Sequence, residues 1–145
     1  MKKLFFLSLV FVVFVVGCSK NDIADPVIEN PPPPIDTAVA SVLYTGSFQN
    51  GPYGTTNGMV KIIRNNGKLE LRLENFTVSS GPDLKVYISK EKQPLNFIKL
   101  GSLKALSGDQ TYDIPGNPDF MEYSYALIHC EKFNHLFGSA VLMKK

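Results

Sequence analysis

From about Val42 onward, apolar and polar residues interchange in short runs with a period of two, the spacing of strands that turn one face to a core and the other to water. The clearest case is 69–74, where Leu69, Leu71 and Leu73 interleave with Glu70, Arg72 and Glu74, placing three leucines on one face and three charges on the other. Upstream, Ile62-Ile63-Arg64 leads into Asn65-Asn66-Gly67-Lys68, whose Asn and Gly accept the positive φ of a tight turn, so the two runs predict a hairpin. Strands are predicted near 42–48, 58–65, 68–75, 83–89, 97–100, 110–114, 123–130 and 137–143, with little helix, because no long stretch repeats every 3.6 residues. Tyr125-Ala126-Leu127-Ile128 and Ala140-Val141-Leu142-Met143 are apolar at consecutive positions and are expected to be covered on both faces. Gly51-Pro52, Ser80-Gly81-Pro82-Asp83, Ser107-Gly108-Asp109 and Pro115-Gly116-Asn117-Pro118 punctuate the runs as turns. About eight short strands in one domain over 42–145 predict an all-β, antiparallel β-sandwich, with a small barrel as the second choice.

The chain before Val42 has a different texture. Met1-Lys2-Lys3 precedes an apolar run from Leu4 to Val16, broken only by Ser8, and then Gly17-Cys18. That run is too short to cross a hydrocarbon layer of ~30 Å as a helix and has the flanks of a secretory signal. Residues 1–17 are therefore expected to be a cleaved signal segment. Val15-Val16-Gly17-Cys18 resembles the bacterial lipobox, which makes Cys18 a lipidation site carrying acyl chains such as palmitate. Several acyl chains anchor stably where one is marginal, at ~0.8 kcal/mol per buried CH₂. The implied partner is a membrane, and the implied location is the cell envelope, outside the cytoplasm. Ser19 rather than Asp after the lipidated Cys fits outer-membrane sorting. Residues 18–41 hold Pro26 and Pro31-Pro32-Pro33-Pro34 and read as a tether that favours polyproline II. Within it, Asp36-Thr37-Ala38 resembles a bacterial O-glycosylation motif, with Thr37 as acceptor. Asn75-Phe76-Thr77 reads as structural only.

Fifteen basic and thirteen acidic residues include Lys2 and Lys3, so losing the signal leaves a formal charge near zero. A neutral domain without a Lys or Arg run offers no electrostatic footprint for nucleic acid. Enzyme chemistry is thinly provided: no Gly-x-Ser-x-Gly elbow, phosphate loop, paired His at helical spacing or Cys-x-x-Cys is present. The carboxylates Asp83, Asp109 and Asp119 fall in turns, where Asp is ordinary. The expectation is a non-enzymatic module.

One segment stands apart, Ile128-His129-Cys130-Glu131-Lys132-Phe133-Asn134-His135. With Cys18 acylated, Cys130 has no intramolecular partner, and an unpaired Cys outside the cytoplasm invites attention. Two readings stand. Cys130 is a small buried hydrophobe, which alternation with Ala126 and Ile128 favours, or it is a redox thiol or ligand. Adjacent strand residues face opposite ways, so His129 is a poor co-ligand for Cys130. His135 is the better partner if the chain folds back after Lys132.

As an ordered set, Gly46-Ser47-Phe48, Gly58-Met59-Val60, Leu69-Glu70-Leu71, Gly81-Pro82-Asp83-Leu84-Lys85-Val86-Tyr87-Ile88-Ser89, Leu100-Gly101-Ser102-Leu103-Lys104, Gly108-Asp109-Gln110-Thr111-Tyr112-Asp113-Ile114-Pro115 and Cys130 through Ala140 resemble the DM-thirteen domain, named for electron transfer. The resemblance implies a sandwich in the style of DOMON domains and a family Cys, here Cys130, acting as a bare thiol or holding a prosthetic group such as haem or a metal. Where some members carry a His before the glycine matching Gly58, this chain has Thr55-Thr56-Asn57. Two functions from different classes follow. One is a redox or electron-transfer module using Cys130, assisted by His135 or His129. The other is a surface binding or structural module, with Cys130 buried and loops Asn50–Asn57 and Pro115–Met121 offering Tyr53, Phe120 and Tyr123 to a glycan or protein.

Overall fold

Period-two patterning builds two facing sheets of five strands each. The computed structural model describes residues 40–145. The signal segment, Cys18, Thr37 and the tether up to residue 39 lie outside the described residues. In chain order the strands are β1 Ser41–Ser47, β2 Gln49–Asn50, β3 Thr56–Asn65, β4 Lys68–Val78, β5 Leu84–Ser89, β6 Phe97–Ser102, β7 Gln110–Asp113, β8 Tyr125–Cys130, β9 His135–Val141 and β10 Met143–Lys144, with a 3₁₀ turn at Glu131–Phe133. One sheet has the order β10-β1-β3-β4-β7 and the other β2-β9-β8-β5-β6. Every named pairing is antiparallel. All eight predicted strands are present, and the two added ones are two-residue edge pieces.

The predicted hairpin joins β3 to β4. Asn65 pairs with Lys68, and Asn66 and Gly67 between them take φ of 49° and 76°, the double positive φ that a two-residue turn matched to strand twist requires. Near the start of β3 a register shift between Asn57 and Met59 carries Gly58 at φ 111°, where a Cβ would meet the backbone of Phe76. The Gly58 carbonyl accepts from the Phe48 N–H at 3.0 Å. That bond holds the chain as it crosses from β1 to β2, from one sheet to the other.

Between the sheets, Val60, Ile62, Leu71, Leu73 and Phe76 meet Val86, Ile88, Ala126, Ile128 and Phe137. Enclosing each of the larger of these side chains stabilises by about 1.5–3 kcal/mol before entropy is counted. The expectation for 140–143 needs correction: Ala140 and Leu142 are buried, but Val141 and Met143 are 51% and 61% exposed. The reason is position. β2 pairs with β9 only at Ser139 and Gly138, so β9 is itself an edge at Val141, and β10 is the outermost strand of the other sheet. The matching expectation for β8 holds, since Tyr125 is half-buried and Ala126 to Cys130 are all buried.

Candidate functional site

β8 divides its residues between two faces. Ala126, Ile128 and Cys130 point into the core between the sheets, where the Cys130 thiol is free and wholly enclosed. Leu127 and His129 lie on the outer face, beside Tyr87 of β5 and Leu136 of β9. This separation of His129 from Cys130 is the one strand alternation predicts. A register shift across from Ile128 and His129 leaves Phe137 as an extra residue on β9, since Ile128 pairs with Gly138 and His129 with Leu136. Phe137 joins the core while Leu136 covers the outer face.

The fold-back after Lys132 does occur. The 3₁₀ turn ends at Asn134, in the left-handed region at φ 54°, and the chain returns so that His135 sits opposite Cys130 in the β8–β9 register. The His135 ring, however, is engaged elsewhere: it stacks on Tyr53, with centroids 3.6 Å apart and planes 3° from parallel, and lies 5.8 Å from Phe133. No hydrogen bond joins Cys130 to either histidine among the described residues.

Three segments converge on this corner. The Glu131 N–H donates to the Asp83 carbonyl at 3.0 Å, tying it to the Gly81-Pro82-Asp83-Leu84 turn, and Leu84 pairs with Cys130. The Gly51 and Tyr53 N–H groups donate to the Phe137 and Leu136 carbonyls at 2.8 and 3.3 Å. Thr56, buried beside Gly138, donates its hydroxyl to the Phe137 carbonyl at 2.9 Å. Its polar atom is spent on the scaffold.

His129 is 4% exposed, and neither ring nitrogen has a hydrogen-bond partner. Burial holds its pKa below the ordinary imidazole value, Asn134 and Glu131 offset part of that, and nearby His135 adds to it, so the neutral ring is favoured. Its ring lies 5.7 Å from that of Tyr87. Tyr87 is 1% exposed and donates its hydroxyl to Glu131 Oε1 at 2.5 Å. Burial first, and the Glu131 carboxylate second, push its pKa up. Lys99 Nζ sits 2.8 Å from both Glu131 oxygens and, with the Tyr87 hydroxyl, holds the carboxyl below its usual range. Phe97, 41% exposed, lies over the far side of Tyr87 at 4.4 Å.

Sequence reasoning passed over Tyr87, Phe97, Lys99 and Glu131. The period-two position of Tyr87 between Lys85 and Ser89 marks it as outward-facing, but nothing local shows that Glu131, 44 residues away, completes its hydrogen bond. Of the loop aromatics, Phe120 is core, 5.1 Å from Tyr44; Tyr123 is half-buried under Lys90; Tyr53 is 57% exposed.

The residues present do not fit a haem or metal held by Cys130. Among the described residues no three His, Cys, Asp or Glu side chains gather as a metal site would need. The sulfur is packed in an apolar core, and His129 is on the wrong face. A surface groove of about 490 Å³ is lined by residues including Tyr44, Arg64, Phe120 and Lys144, and touches neither Cys130 nor either histidine.

Compared with known families, residues 47–142 match a family model described as Electron transfer DM13. No curated protein and no solved structure matches the chain.

Proposed function

The chain belongs to the DM13 electron-transfer family, and from that premise we propose that it is an extracytoplasmic lipoprotein, anchored at the outer membrane through Cys18, whose sandwich domain carries electrons with Cys130 as a bare redox thiol. It is a carrier for a redox partner rather than an enzyme. The observation that carries the reading is that family match, spanning Cys130 and the segments around it, together with a thiol that has no partner among the described residues. Disulfide exchange requires a thiolate with access, which this sulfur lacks. Electron tunnelling does not require atomic contact. A one-electron oxidant docked at the surface takes the electron, the S–H bond breaks, and the proton leaves to solvent through local opening of the strand end. A thiyl radical remains until a one-electron donor and a proton from solvent restore the thiol, while enclosure shields the sulfur from the peroxide-driven oxidation that destroys exposed thiols.

The test is protein-film voltammetry of the full chain beside Cys130→Ala, with thiol labelling of both. The folded parent should resist labelling, label once after denaturation, and show a redox wave that the variant lacks. An unchanged wave in Cys130→Ala sinks the role of Cys130. The complete enclosure of the thiol favours a second reading, a surface binding or structural module with Cys130 as packing, and its expected result is a parent and a Cys130→Ala variant that behave alike in the voltammetry.

A further inference from the structure

The outer face of the β2-β9-β8-β5-β6 sheet carries a group that the Cys130 reading does not use. Of the six tyrosines, Tyr87 alone among the described hydrogen bonds donates its hydroxyl to a carboxylate. The Tyr112 hydroxyl donates to the Gln110 amide oxygen at 2.7 Å, which is no base. Tyr87 is also enclosed, and its ring is flanked by Phe97 toward solvent and by the neutral, unpartnered His129 toward the corner.

Losing one electron makes a phenol a strong acid, so a buried tyrosine is oxidised readily only where a base already accepts its proton. We propose that Tyr87 is a one-electron redox site of this domain, with Glu131 as its proton acceptor and Phe97 as the ring through which electrons pass to and from a docked partner. When a high-potential one-electron oxidant takes an electron from Tyr87, the O–H bond breaks, its proton moves along the 2.5 Å hydrogen bond to Glu131 Oε1, and a neutral phenoxyl radical remains. The oxidant is reduced by one electron. A one-electron donor reverses the step: the electron returns to the phenoxyl oxygen and Glu131 gives the proton back. Lys99, on both carboxylate oxygens, positions Glu131. Enclosure by Leu127, Leu136 and Tyr125 keeps a second radical from reaching the ring and coupling to it. The inference rests on the electron-transfer reading of the family but not on Cys130.

The experiment is photo-oxidation of the full chain with ruthenium tris-bipyridine and persulfate, followed by rapid freezing and electron paramagnetic resonance. A Tyr53→Phe parent removes the most exposed competing phenol. The parent should give a neutral tyrosyl signal that Tyr87→Phe abolishes, while the rate of its formation falls at least about tenfold in Glu131→Gln, the loss expected when a positioned base is removed. Both substitutions keep the shape of the side chain. Tyrosine deuterated at Cβ gives a second readout, because one enclosed ring has a single hyperfine pattern and a set of exposed rings does not. A full signal in Tyr87→Phe, or an equal rate in Glu131→Gln, overturns the proposal. Cys130→Ala separates the two ideas: a retained Tyr87 signal with an unchanged voltammetric wave removes Cys130 and leaves Tyr87, whereas a lost wave with a signal indifferent to Tyr87 does the reverse.

Discussion

β4 and β8 are both flanked by strands on either side, yet they meet water differently. β4 buries Leu69, Leu71 and Leu73 and turns Glu70, Arg72 and Glu74 outward, where Lys61 reaches Glu74 at 2.6 Å and Arg72 reaches Glu70 at 3.2 Å. β8 buries Leu127 and His129 on its outer face as well as Ala126 and Ile128 on its inner one. On the first sheet these charges form solvated ion pairs. The apolar layer on the second favours the neutral His129 ring and strengthens the Tyr87–Glu131 hydrogen bond, because low polarisability disfavours charge and leaves the bond unscreened. The difference teaches that a two-layer sandwich can build a guarded site outside its core, given one strand whose outward positions are apolar.

The strongest way to break this comparison is Leu127→Ala. If the outer face of β8 is a true second core, the substitution costs about 2–5 kcal/mol in urea unfolding, as Leu71→Ala should in the main core. A cost below about 1 kcal/mol would make it ordinary surface. Next in size is the inner face, where Cys130→Ser should cost about 1–3 kcal/mol by placing a hydroxyl among apolar side chains, and more than Cys130→Ala. Equal stability of the two variants would mean that water reaches the sulfur.

How much of this was legible follows the same division. The β3–β4 hairpin, the alternating face of β4 and the two-sided burial of β8 could be read from residues, because each depends on neighbours in sequence and on turn chemistry at Asn66 and Gly67. The split of Cys130 from His129 was legible for the same reason. The exposure of Val141 was not, since an edge is defined by where β2 stops, and β2 is two residues long. Nor was the Tyr87–Glu131–Lys99 set, whose members come from β5, the 3₁₀ turn and β6 and meet only through the antiparallel pairing of β5 with both β6 and β8. His135 was legible as a residue that folds back to Cys130, but its stacking on Tyr53 depends on the loop after β2.

A pH series sharpens the comparison. The folded His129 pKa lies below its unfolded value near 6.5, so stability is full above that value and is lost as pH falls through the folded pKa. Facing His129 are Tyr87, Glu131, His135 and, directly across the β5–β8 ladder, Lys85, and the Glu131 carboxyl is held below its usual range by Lys99 and Tyr87. The expected slope between pH 6.5 and the folded value is at most about 1.4 kcal/mol per pH unit, the limit for one proton. His129→Phe should flatten it in urea midpoints measured from pH 7 downward. An undiminished slope in that variant would assign the acid sensitivity to other groups.

The smallest effect is expected on the charged face. Arg72 and Glu70 form an ion pair whose side chains are 38% and 16% exposed, and pairs this wet contribute about 0–1 kcal/mol because water and salt already satisfy both charges. Arg72→Ala should therefore shift the unfolding midpoint slightly, and the shift should shrink in about 1 M salt, where the Debye length is ~3 Å. Lys99→Ala on the other sheet should cost no more, since Lys99 is 45% exposed. Its consequence differs: it frees the carboxylate that receives the Tyr87 hydroxyl. Equal small costs at the two cations, with a change in tyrosyl formation only in Lys99→Ala, would place the distinction between the sheets in the apolar layer and the hydrogen bond it encloses. A markedly larger stability loss at Lys99 would place it in the ion pair instead.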